Sequence, residues 1–176
     1  MANKSIQRIE GILQYYTRPL GADYNAYRNH VYRLYHLTLL YHRDDLTLTQ
    51  ADALAVGAAF HDIGIWTHRT MDYLRPSMDL ADQYMNQNHF VSHSIVRDVI
   101  LNHHRMSPAP SELSEAFRRA DTCDISCGII KNGLPTRLYR QLVKEFPYLG
   151  FHRLIIGKMF LYAIRHPFRP FPLLVK

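Results

Sequence analysis

The chain carries 11 histidines in 176 residues, several of them beside carboxylates. Imidazole is the commonest metal ligand and the usual acid or base near neutral pH, so the question is which of these side chains can meet. His61-Asp62 closes an apolar run in which Ala51, Leu54, Ala55, Ala58, His61 and Asp62 recur at helical spacing. The inner face of that helix therefore ends in an imidazole and a carboxylate. A carboxylate buried beside a histidine is costly unless something positive neutralises it, and a divalent cation does so directly. The dipeptide alone is common by chance and equally suits a frayed helix end in water.

Three other helices carry the same signature. Tyr27, His30, Val31, Leu34 and Leu37 share a stripe, which turns His30 inward. Val96, Val99, Ile100 and His103 share another, with His104 at its edge, and Phe117, Ala120, Asp121 and Asp124 lie together on a third. One polar residue on a core face is ordinarily a satisfied core residue. Four in one small domain are hard to satisfy unless they converge, and helical bundles build metal centres in this way.

In this order the set resembles the HD-domain superfamily of metal-dependent phosphohydrolases, whose signature is H…HD…D on separate helices. The matching residues are His30, His61-Asp62 and Asp121, and similar flanks are His61-Asp62-Ile63-Gly64, Ile100-Leu101-Asn102-His103-His104 and Arg119-Ala120-Asp121. The likeness covers about residues 24–127. The segments Trp66-Thr67, Asp72-Tyr73-Leu74, Pro76-Ser77 and Gly150-Phe151-His152-Arg153 look like those of small bacterial HD proteins of unassigned substrate. The resemblance implies an all-α, single-domain bundle of the HD type, with His30, His61, Asp62 and Asp121 as metal ligands. Two imidazoles and two carboxylates suit a divalent Mn, Fe, Co, Ni or Zn ion better than Ca or Mg. The implied chemistry is attack of metal-activated water on a phosphorylated small molecule, a nucleotide being one candidate.

The chain departs from the family at two places. Two-metal members carry a further His between the HD pair and the later His-His, where this chain has Pro76-Ser77. His68 and His89 do not have its spacing, which points to one ion rather than two. Some members place Lys or Glu a few residues after HD, but here the run is Ile63-Gly64-Ile65-Trp66-Thr67-His68-Arg69. Acid–base work then falls to His103, His104 or His68. Arg69 and Arg75, in the loop after the HD pair, and Arg118, just before Asp121, are candidates for gripping a substrate phosphate by charge-assisted bonds. Each also suits a solvated or salt-bridged surface. Trp66 and Tyr73 are either ring-stacking or core residues, and His89 and His93 suit a solvated face.

These residues need helices to position them, and helical periodicity dominates the chain. Helices are expected over about 3–17, 24–42, from an N-cap at Thr49 to near Gly64, from Pro76-Ser77 to near Asn88, and over about 90–104. Three more are expected from Ser111 or Ser114 to near Gly128, over about 136–146, and over about 151–165. Prolines keep the tail His166–Pro172 out of any helix, and it reads as an extended arm laid on a body formed by residues 1–176 as one domain. The apolar fraction of 47% excludes disorder as the main state. A net charge of +6, from 21 basic and 15 acidic residues, favours a small anionic substrate, and no nucleic-acid stripe or motif appears. Two cysteines four residues apart, read as small buried side chains, make no disulfide framework. No apolar stretch is long enough for a bilayer, no signal-peptide core is evident, and a cytoplasmic protein without a membrane partner is expected. A homo-oligomer is left open. Two other functions share these residues: a non-hydrolytic HD metalloenzyme such as a di-iron oxygenase or hydratase, and a binding module without catalysis.

Overall fold

The computed structural model describes residues 2–168, and every regular element among them is helical. In chain order these are α1 (Ala2–Tyr15), the single turn α2 (Thr17–Leu20), α3 (Tyr24–His42), α4 (Leu48–Phe60) and the turn α5 (Gly64–Thr67). There follow α6 (Leu74–Gln87), α7 (His93–Asn102), α8 (Glu112–Ile125), α9 (Thr136–Glu145) and α10 (Phe151–Arg165). Among the described residues, no helix is long and apolar enough to cross a membrane.

Several boundaries differ from the sequence expectation. The N-cap of α4 is Thr47, not Thr49. Its side chain accepts from the Gln50 amide while the Gln50 side chain reaches back, a reciprocal cap that outcompetes a lone threonine two residues on. Helix α6 begins at Leu74, ahead of Pro76, because a proline costs nothing in a first turn whose amides have no partner inside the helix. Helix α7 starts three residues later than expected, at His93. Ser111 caps α8, with Ser114 as its reciprocal partner. Cys123 is buried but Cys127 is exposed, and both are free. His166–Phe168 is non-helical, and the expected arm beyond it lies outside the described residues.

From Ala53 onward helix α4 is apolar and buried on every side, with residues 53–60 all inaccessible. A helix of that kind belongs at the centre of a fold. It packs against α1, α3, α6 and α7, while α3 lies along α8. The HD pair follows α4 at a sharp turn held by Gly64. A Cβ there would come within 2.7 Å of the Tyr73 carbonyl oxygen and 3.0 Å of Ser77 Oγ, to which the Gly64 amide donates. Gly64→Ala therefore forces backbone apart in a packed turn and is expected to lower stability by about 1–3 kcal/mol. Urea unfolding measures this; an unchanged midpoint would show that the turn can shift.

Candidate metal centre

Helices α3 and α8 and the C-terminal ends of α4 and α7 bring five titratable side chains of the sequence reading to one buried point. His30, His61, Asp62, His103 and Asp121 are all buried, and His104 beside them is partly exposed. His30 Nε2 stands 3.1 Å from His61 Nε2 and 3.9 Å from an Asp121 oxygen. His61 Nε2 is 3.3 Å from one Asp62 oxygen, and His103 Nε2 is 3.5 Å from the other. Atoms bonded to one transition metal at about 2.1 Å stand roughly 3–4 Å apart, the range found here.

The protons of three imidazoles are assigned by what their other nitrogens touch. His61 Nδ1 lies 2.8 Å from the Ala58 carbonyl oxygen, His103 Nδ1 lies 2.6 Å from that of Ile100, and His30 Nδ1 lies 2.7 Å from Asp124 Oδ2. Each partner only accepts, so each Nδ1 carries the proton and donates it. Each Nε2 then presents a bare lone pair to the centre. Two such lone pairs 3.1 Å apart repel unless a proton or a cation lies between them. Burial drives the His30 pKa down to about 4, which disfavours the proton. Three atoms of the cluster, Asp62 Oδ1, Asp121 Oδ1 and His103 Nε2, are buried with no hydrogen-bond partner. Buried polar atoms without partners are uncommon, and three at one point suit coordination to a cation. The residues fit a metal ion. The ligand-capable atoms of His30, His61 and Asp62 form one group of metal-binding dimensions, and those of Asp62, His103 and His104 form a second. Asp62 belongs to both.

Behind His30 lies a buried layer of which the sequence places Asp124 on the inner stripe of α8 but does not single out Arg33. Arg33, fully buried one turn further along α3, donates to both Asp124 oxygens at 2.7 and 2.8 Å, and Asp124 in turn holds His30. Arg33 also donates to the Phe146 carbonyl oxygen at 2.8 Å, and His152 donates from Nε2 to the Asp124 carbonyl oxygen at 2.8 Å. Phe151, at the start of α10, stacks on the His30 ring with centroids 4.1 Å apart. The C-terminal helices thus close the back of the site. A carboxylate behind a ligating histidine fixes its orientation and raises its basicity. Arg33 and His30 hold Asp124 well below the usual carboxylate range against the cost of burial.

Asp121 behaves oppositely: burial, with Asp62 and Asp124 nearby, pushes its pKa up to about 8. The two shifts have opposite signs in stability. His30, depressed in the fold, contributes stability above about pH 6.5 that is lost as pH falls toward 4. Asp121, raised in the fold, contributes stability at acid pH that is lost as pH rises toward 8. Between about pH 4 and 6.5 the two oppose and largely cancel, so through these groups the metal-free protein is expected to lose stability as pH rises from about 6.5 to 8. Metal neutralises Asp121, so the gap between the melting temperatures of loaded and chelated protein should widen from pH 6 to pH 8. A gap constant over that interval would mean that Asp121 does not face the ion.

The remaining expected site residues are not joined to the cluster. His68 is exposed and contacts Thr67 at 3.0 Å, and Arg75 is exposed, facing Asp79 at 4.0 Å. Arg118 is taken up by Glu115, with bonds of 2.8 Å to both oxygens. Arg69 lines a separate recess. Loop cations carry no periodicity that could have located them. His104 is held by Tyr73, whose hydroxyl lies 2.6 Å from its Nε2, so Tyr73 and Trp66 are buried residues of the site wall. Comparison with models of known families, with curated proteins and with solved structures finds no match for this chain.

Proposed function

We propose that the protein is an HD-type, metal-dependent hydrolase of a phosphorylated small molecule, with one divalent Mn, Fe, Co, Ni or Zn ion held by His30, His61, Asp62 and Asp121. The observation that supports it most is the set of bare Nε2 lone pairs facing two buried carboxylates with unpartnered oxygens. Such an ion lowers the pKa of water and polarises a phosphoryl oxygen. The chain's own residues supply the rest. His30 and His61 are immobilised from behind, so the donor set is organised before anything binds. The cluster side chains range from 0% exposure for His30, His61 and His103 to 24% for His104, which therefore marks the mouth. Burial and the neighbouring His103 hold the His104 pKa well below its usual value. It is neutral at physiological pH, with Tyr73 keeping its ring in place. His103 Nε2 offers an acceptor deeper in. A small anionic substrate and a cytoplasmic setting, with both cysteines reduced, belong to the same reading.

The test is elemental analysis of the purified protein followed by a phosphatase screen with added Mn, Co and Ni. A stoichiometric metal and turnover of at least one phosphoester are expected. A metal-loaded protein inert to every phosphoester contradicts the reading. A second reading has one specific observation behind it: Asp62 lies between two donor groups, and His103 Nε2 is unpartnered. Two ions bridged by Asp62 would make His103 and His104 ligands, and with iron would open the non-hydrolytic chemistry of the fold. Two metals per chain, with an oxygen-sensitive iron absorption, would decide for it.

A further inference from the structure

Trp66 connects the cluster to a second feature. Its ring lies 4.7 Å from that of Tyr27, which in turn stacks 6.2 Å from His61. On Trp66 opens a recess of about 370 Å³ that no cluster residue lines. Its walls come from α2, from α5 and the loop after it, and from α10. That volume lies in the range of small-molecule sites.

The lining is strongly positive. Arg69, Lys158 and Arg165 project into it, and the sole carboxylate among the described lining residues is Asp23. Asp23 is already engaged: it accepts from Trp66 Nε1 at 2.9 Å and faces Lys158 Nζ at 4.0 Å. Neither Arg69 nor Arg165 has a hydrogen bond or ion pair to another described residue. Two guanidinium groups with no counter-charge among the described residues line the same recess, and each is suited to an oxyanion. Arg69 also holds a left-handed backbone, φ 52°, a strained conformation for a non-glycine residue and one that clusters at binding sites. Leu20, Met71 and Leu161 give the recess an apolar side.

We propose that this recess is a binding site, separate from the metal cluster, for a small phosphorylated molecule. Its phosphate groups pair with Arg69 and Arg165, and its organic part rests on Leu20, Met71 and the edge of Trp66. The site does not depend on the hydrolase reading, since none of its residues touches the proposed ion.

Trp66 is the chain's one tryptophan, so its emission reports on a single position in the wall of the recess, and the His61→Ala arm separates the recess from the cluster. Inorganic pyrophosphate is titrated into the protein, with Trp66 emission and calorimetric heat followed together. Saturable binding is expected in at least one channel. Arg69→Gln and Arg165→Gln, both at exposed positions, should each weaken it about five- to tenfold. His61→Ala, which breaks the cluster, should leave it unchanged. The proposal is overturned if neither channel saturates, or if binding survives both arginine changes. Binding lost in His61→Ala but kept in the arginine variants would place the anion at the cluster and equally overturn it.

Discussion

Asp62→Ala is expected to cut the metal-dependent rise in melting temperature to about a third. Structural metal sites with four ligands bind with roughly 10–16 kcal/mol, so one ligand contributes about 3 kcal/mol and its loss weakens binding at least a hundredfold. With free metal at a thousand times the dissociation constant, binding adds about 4 kcal/mol to stability; after a hundredfold loss it adds about 1.4. For a chain of this length that is a fall from roughly 8–16 °C to roughly 3–6 °C. Asp62 is the sharpest choice because its two oxygens serve both donor groups, one 3.3 Å from His61 Nε2 and the other 3.5 Å from His103 Nε2. Melting curves with metal and with chelator measure the difference within each variant, which separates ligation from any general cost of the substitution. A metal-dependent rise equal to that of the unaltered protein would remove Asp62 from the ligand set, and the proposed centre with it.

The inward stripes of α3, α4, α7 and α8 were readable in the sequence because helical periodicity says which face a residue takes. It does not say what meets it. His30, His61, Asp62, His103 and Asp121 are buried together as those stripes require. Arg33 and Asp124 were harder to see. Arg33 sits in the apolar run Val31-Tyr32-Arg33-Leu34, and Asp124 stands one turn beyond Asp121. Each lies three residues past an expected ligand, on helices that pack along each other, and that shared offset was the available signal. Single-helix reading puts Asp124 on the inner stripe beside Asp121 but gives Arg33 no partner. Their pairing is a fact of α3 against α8. His68 and Arg69 in the loop, and Arg75 in the first turn of α6, stand apart from the cluster: they follow a turn whose direction is set by Gly64 packing on Tyr73 and Ser77, a tertiary contact with no periodic trace.

Arg33→Met is expected to lower stability by about 3–5 kcal/mol, because it leaves the Asp124 carboxylate buried with its main counter-charge gone. Arg33 and Asp124 side chains are both fully inaccessible, so water cannot replace the lost bonds. In the unaltered protein His30 and Arg33 together hold the Asp124 pKa far down against burial. The sign of the pH dependence follows. A depressed carboxylate contributes stability above its ordinary range and loses it as pH falls, so the unaltered protein should weaken below about pH 4 through this group. In Arg33→Met the acid-side loss should shrink, because the Asp124 pKa returns toward its ordinary value. Asp124→Asn separates holding the fold from holding the metal. The amide oxygen still accepts from His30 Nδ1, but the charge behind the imidazole is gone, and metal affinity should fall about 10–100-fold. Urea unfolding and metal titration of the two variants check both effects. If Arg33→Met proved as stable as the unaltered chain, the buried Arg33–Asp124 pair would be only a packing element.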